Sequence, residues 1–192
     1  MVNEMMTEGD VTLIPWLVGD EWKKIPKIKS KYIFGHFELP NFYMNAMVQM
    51  PDTGELQADH FKNQEYVFSG HFHKRQVKGP VHYIGNALPH NYADAWDDER
   101  GMMILEHGGE PQYINWWNCP KYRTVKLSRL LDEKDTLIKS KMYLRVTLDL
   151  PISYEEANFI KETFMKDYDC REISLIPNTQ DDEINSDIDI TK

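Results

Sequence analysis

Up to Pro120 the chain is a series of short apolar runs, each cut off by Gly, Pro or Asn. Val11-Thr12-Leu13-Ile14 predicts a first strand, closed by Pro15-Trp16-Leu17, where a proline suits a strand end better than a central position. Tyr32-Ile33-Phe34 stops at Gly35. Tyr66-Val67-Phe68 runs into Ser69-Gly70-His71-Phe72-His73, and Val81-His82-Tyr83-Ile84 ends at Gly85-Asn86. Residues 101–105 and 112–116 read as a hairpin across His107-Gly108-Gly109. Runs of this kind belong to a sheet buried on both faces. Residues 23–31 carry a short amphipathic helix that Pro26 weakens, and residues 41–59 read as loop.

After Pro120 the period changes. Leu127, Leu130, Leu131, Leu137 and Ile138 predict a short helix or linker. Residues 143–150 alternate, with Leu144, Val146, Leu148 and Leu150 on one face and Arg145, Thr147 and Asp149 on the other. Ser153 followed by Glu156 is a capping box, and Ala157, Ile160 and Phe164 then recur at helical spacing. Residues 171–176 return as a strand before Pro177. A strand–helix–strand unit this small does not stand alone and reads as a cap on the larger part. The expected organisation is a main domain over residues 1–125, a cap over 126–178 and a tail over 179–192.

Composition narrows the function classes. The chain has 192 residues, 41% hydrophobic and 28% charged, as ordinary folded proteins do. No apolar run approaches the roughly 20 residues that cross a bilayer, so no membrane partner is expected. Met1 is followed by Val, Asn and Glu rather than by a basic and then apolar leader. Cys119 and Cys170 form no CxxC pair, which excludes a disulfide scaffold and a thiolate zinc site and points to a cytoplasmic setting. The net charge of −9 argues against a protein held to nucleic acid mainly by its overall field. It leaves room for phosphates met through metal ions or a local basic face. Residues 179–192 hold five of the acids and no aromatic residue, and read as a disordered or partner-binding end.

The candidate chemistry lies in the histidines. In an extended segment residues i and i+2 point to the same side, so His71 and His73 can face one point beyond the strand end. Tyr32-Ile33-Phe34-Gly35-His36-Phe37-Glu38 repeats the form, and two Gly-His strand ends would bring three imidazoles to one sheet edge, where open α/β sheets carry their sites. Imidazole nitrogens suit Zn, Mn or Fe; histidines in turns also make ordinary hydrogen bonds, and that reading stays open on the motif alone. His60, His82, His90 and His107 read as structural or solvent-exposed.

The run Val67 to His73 resembles the last metal-binding motif, GHxH, of calcineurin-like metallophosphoesterases. Ile14-Pro15-Trp16-Leu17, Phe34-Gly35-His36-Phe37-Glu38 and Ser69-Gly70-His71-Phe72-His73, followed by Tyr83-Ile84-Gly85-Asn86 and residues 94–101, are similar in order to the bacteriophage recombination endonuclease subunit, the phage relative of the bacterial SbcD nuclease. The resemblance implies an α/β fold, the rear part of a metallophosphoesterase β-sandwich flanked by helices, followed by the small cap. It implies two Mn(II) ions, with His36 and His71 as ligands of one and His73 as a ligand of the other. It also implies DNA as substrate and an ATPase of the SbcC/Rad type as partner, in the cytoplasm of a phage-infected host.

The family's D-x-H, G-D-x-x-D and G-N-H-D/E motifs do not occur in these residues, and the catalytic histidine goes with the last of them. The expectation is therefore a subunit or fragment of a Mn-dependent DNA exonuclease or endonuclease, weak or inactive alone. Its front half would be either removed or encoded elsewhere as a separate chain, and apolar faces around Trp16, Ile33, Phe34 and Phe68 would be left uncovered. Arg145 and Lys161 of the cap are the candidate DNA contacts, against the plainer reading of a solvated face, and Trp116-Trp117 reads as core or cap packing ahead of base stacking. The alternative is a non-catalytic DNA- or partner-binding remnant of the same subunit.

Overall fold

The structure, a computed structural model, describes residues 2–178. The expected acidic end at 179–192 lies outside the described residues. Among the described residues, eleven strands, two α-helices and three short 3-10 helices form two compact units that divide between Cys119 and Pro120. The class is mixed α/β.

The first unit is built on a six-stranded sheet: β1 (Met6–Glu8), β2 (Val11–Leu13), β3 (Tyr32–Gly35), β4 (Tyr66–Ser69), β5 (Gln76–Lys78) and β6 (Val81–Tyr83), in the order β1-β2-β3-β4-β6-β5. The inner strands β2, β3, β4 and β6 run parallel, and β1 and β5 are antiparallel edges. The four apolar runs are the parallel strands. The two edges escape the pattern because Met6-Thr7-Glu8 and Gln76-Val77-Lys78 lie largely in solvent and need no apolar face.

Each face of this sheet has its own cover. Ile33, Val67, Val81 and Tyr83 point into a core closed by Phe37, Leu39, Phe42, Leu56 and Phe61, so the loop after β3 is the lid of the core rather than a surface excursion. The other face is aromatic. Tyr32 stacks on Tyr66, Phe34 on Phe68, and Tyr66 and Phe68 both pack on His82. The antiparallel hairpin of β7 (Gly101–Ile104) and β8 (Gln112–Asn115) sends Tyr113 to this face, its hydroxyl 2.8 Å from His82 Nδ1. The expected uncovered faces therefore reduce to part of their list. Ile33 and Phe68 are buried by these two covers, Phe34 is half-buried, and Trp16 remains 51% exposed.

The second unit is a three-stranded parallel sheet, β11-β10-β9, from β9 (Tyr122–Lys126), β10 (Tyr143–Leu148) and β11 (Glu172–Pro177). Helices α1 (Leu127–Leu137) and α2 (Tyr154–Asp167) are its crossovers. Leu127, Leu130, Leu144, Val146, Phe164 and Ile173 fill the core between helices and sheet. The module is thus strand–helix–strand–helix–strand rather than strand–helix–strand. β9 extends it because Arg123 and Val125 alternate inward opposite Leu144 and Val146. Ser153 and Glu156 form the expected capping box, with Glu156 N donating to Ser153 Oγ and Ser153 N to Glu156 Oε2. At α1 the same need is met from a distance: Asp149 accepts from Ser128 N and Ser128 Oγ, which holds its carboxyl below the usual range.

Two measurements check this packing. Leu130→Ala, at a site with no exposure, should cost about 2–5 kcal/mol in urea unfolding. A cost under about 0.5 kcal/mol, the range of surface changes, would mean that α1 does not seat there. Burial among aromatic rings lowers the His82 pKa from 6.5, so the unfolded chain binds the extra proton first. The stability that neutral His82 contributes is complete above pH 6.5 and is lost as pH falls through the depressed folded value. Melting temperature should fall on acidification from pH 6.5 down to the depressed folded value, and fall less over that window in His82→Phe; identical slopes would contradict this.

Candidate metal centre at the sheet edge

The carboxyl ends of the parallel strands leave the sheet side by side. Ile14 N donates to Phe34 O, and the β3–β4 register sets Gly35 opposite Ser69, with Gly70 N donating to Gly35 O. Trp16, His36 and His71 come within three residues of the ends of β2, β3 and β4, so three neighbouring strands deliver one ring each to the same edge. The His36 and His71 ring centroids are 5.1 Å apart, with Nε2 of the first 3.2 Å from Nδ1 of the second. Trp16 packs on both, at 5.6 and 5.4 Å.

The local backbone explains why glycine precedes each histidine. A Cβ on Gly70 would lie 2.7 Å from His36 Nδ1, and one on Gly35 would lie 2.2 Å from the Phe37 ring. A side chain at either position would force the His36 or Phe37 ring to move. His71 itself has φ of +84°, a left-handed conformation that costs a non-glycine residue about 1–3 kcal/mol and concentrates at functional sites. The segment after β3 is pinned from the core: Phe37 N donates to Ser69 Oγ, Leu39 N donates to Tyr83 Oη, and Tyr83 Oη donates to Phe37 O.

A carboxylate holds one ring nitrogen of each GHxH histidine. His71 Nε2 is 2.9 Å from Glu38 Oε1, which leaves Nδ1 toward His36. His73 Nδ1 is 3.3 Å from Asp94 Oδ1, which leaves Nε2 without that restraint. Asp94 is fully buried and bound on all sides. It accepts from His90 N at 2.8 Å and from Arg100 at 3.2 Å, and Arg100 also bonds Asp97 and the His73 carbonyl. A carboxylate on one imidazole nitrogen fixes the tautomer and raises the basicity of the other, the arrangement that accompanies metal-ligating histidines. Desolvation, and secondarily the His71 ring, push the His36 pKa below 6.5 against the opposing effect of Glu38. Its imidazole is therefore neutral at pH 7, with a lone pair to offer.

The structure brings His36 and His71 together and gives His73 a different neighbourhood, beside Asp94 and the His90 ring at 5.6 Å. Among the described residues no three His, Cys, Asp or Glu side chains are disposed to hold a metal ion together. His82 and His107 pack on aromatic rings, and His60 Nδ1 accepts from Gln57 N. In the second unit Arg145 lies on the strand face turned from the core, whereas Lys161 is exposed on α2, which packs on the core side. These two cations do not converge. Trp116 and Trp117 are 45% and 64% exposed. Glu38, Asp94 and Arg100 are the members that spacing alone did not single out as site residues, because their roles arise from contacts across the fold. Their only signal was that they fall inside the blocks carrying the resemblance.

No helix among the described residues is long and apolar enough to cross a membrane. No family model matches the chain. The chain is 23% identical over 189 residues to exonuclease subunit 1 of Enterobacteria phage T4, an alignment covering 94% of this chain and 52% of that protein. It is thus distantly related to a phage exonuclease subunit and spans about half the length of the curated relative it matches.

Proposed function

We propose that these residues form the rear part of a calcineurin-like metallophosphoesterase site in a Mn-dependent DNA nuclease subunit. His36 and His71 serve one Mn(II)-class ion and His73 the other. The supporting observation is the pair of carboxylate-held histidines in one GHxH motif, at the carboxyl edge of a parallel sheet. Imidazole nitrogens set beside carboxylates are a fitting donor set for a borderline divalent cation. Such a cation supplies Lewis-acid activation of water and neutralises charge on a phosphodiester. The chain's own residues do the positioning. Glu38 and Asp94 orient the imidazoles, Arg100 anchors Asp94, and Trp16 closes one side of the His pair.

A transition-metal site normally takes about three or four protein ligands. Two histidines on one ion and one on the other fall short, so the remaining ligands come from a segment bearing the D-x-H, G-D-x-x-D and G-N-H-D/E motifs. An SbcC/Rad-type ATPase is the further partner this reading carries. The second reading, a non-catalytic DNA- or partner-binding remnant, draws on the lack of a three-ligand cluster among the described residues.

The chain with Mn(II) and linear DNA should release no nucleotides. Adding the segment of the phage T4 subunit that this chain leaves uncovered should start hydrolysis, and His36→Ala or His71→Ala should abolish it. Robust turnover by the chain alone would refute the half-site, and silence after complementation would favour the binding remnant. Asp94→Asn should cost about 3–5 kcal/mol in unfolding, because it leaves the buried Arg100 charge underpaired. The His73 nitrogen resonances should also lose the Nδ1–H tautomer. Unchanged stability with an unchanged tautomer would remove Asp94 from the site.

A further inference from the structure

The segment between β2 and β3 carries charge of the sign opposite to the whole chain. Lys23, Lys24, Lys27, Lys29 and Lys31 crowd residues 23–31 of a protein with net charge −9, and all five are exposed. Most of them sit on or just after a 3-10 helix, Gly19–Lys27. With three residues per turn, positions i and i+3 eclipse, so Trp22 and Ile25 turn inward together while Lys24 and Lys27 stack on one outer ridge about 6 Å apart. Ile25 is fully buried, which fixes the direction of that ridge.

Two hollows adjoin along it and share Lys24. One is bounded by Pro15, Trp16, Leu17 and Glu21, the other by Thr7, Lys27, Lys29 and Ser30. Side by side across Lys24, they reach as one groove from Trp16, which packs on His36 and His71, to Lys29, with Asp10 also lining the second. The acids near it are largely committed. Glu21 Oε2 accepts from Val18 N and Oε1 stands 4.0 Å from Lys24, Asp20 pairs with Lys23 at 2.7 Å, and Asp10 lies 3.9 Å from both Lys31 and His107. Glu4 borders the Trp16 end. Among the described residues Lys27 and Lys29 have no ion-pair partner. The charge elsewhere on the chain matters little here, because exposed charges beyond about 8–10 Å are screened at physiological salt.

We propose that this groove is a track for the phosphate backbone of a DNA strand leaving the histidine site, with Lys24, Lys27 and Lys29 as its phosphate contacts and Trp16 at its entrance. The proposal rests on the reading of the histidine edge as a phosphodiester site, and names the surface that carries its substrate. The lysines, rather than Arg145 and Lys161, then set the salt dependence of binding.

The test uses the full chain in EDTA with a labelled oligothymidylate, read by fluorescence anisotropy over a range of salt, so that metal plays no part. Changing Lys24, Lys27 and Lys29 together to Gln should flatten the slope of log affinity against log salt by about 2 and weaken binding about 100-fold at 0.1 M salt. The triple Arg variant should retain wild-type binding, which separates lost charge from a disturbed fold. Arg145→Gln with Lys161→Gln should leave the slope unchanged. Wild-type affinity and slope in the Gln variant, or no binding by the wild-type chain, would overturn the track. Tighter binding of polyglutamate than of the oligonucleotide would assign the groove to an acidic protein instead. Mn(II) titration of the same Gln variant tests the histidine edge separately. Retained metal binding with lost DNA binding is the expected pair, and lost DNA binding in a chain that never bound metal would keep the track while removing the metal reading.

Discussion

Parallel pairing of β3 with β4, in the register that sets Gly35 opposite Ser69, is the constraint from which the candidate site follows. It brings two Gly-His turns together at the carboxyl edge, and only glycine at position 70 lets the His36 ring approach within contact of the neighbouring turn. A slip of one residue would turn Ile33 and Val67 out of the core and carry the histidines to the wrong side. The core therefore specifies the site. Ile33 and Val67 are buried by the same pleat that fixes where His36 and His71 leave the sheet.

Around that edge the polar groups are arranged for precision more than for stability. Asp94 and Arg100 are a fully buried ion pair, and such pairs seldom add net stability over apolar packing of the same volume. Their use is positional. Arg100 holds both the Asp94 carboxylate and the His73 carbonyl, so the ring and its own backbone are fixed by one guanidinium. The left-handed backbone at His71 is local strain, in a residue whose ring is tied to Glu38 and His36.

The four parallel strands, the hairpin and the Ser153–Glu156 cap were legible in the sequence because each has a local cause: an unbroken apolar run, a glycine turn, a box of two residues. β1 and β5 were not, since edge strands in solvent carry no periodic apolar face. β9 (Tyr122–Lys126) turns only Arg123 and Val125 inward, too little apolar alternation to mark a strand, and the helical spacing of the leucines begins just after it. At the site, Gly-His spacing identified His36, His71 and His73 as a group. It could not show that His73 turns to Asp94, a partner distant in sequence, while His36 and His71 face each other. Nor could it show that Arg145 and Lys161 diverge, because that depends on which side of β10 the helix α2 packs.

The most direct measurement is pulsed electron paramagnetic resonance of Mn(II) added to the full chain. Nitrogen-14 couplings from imidazole should appear, weaken in His73→Ala, fall to the contribution of His73 when His36 and His71 are both replaced by Ala, and disappear when all three are replaced. A bound Mn(II) signal with no imidazole coupling, or couplings unchanged by those substitutions, would contradict the assignment of this sheet edge to a metal centre.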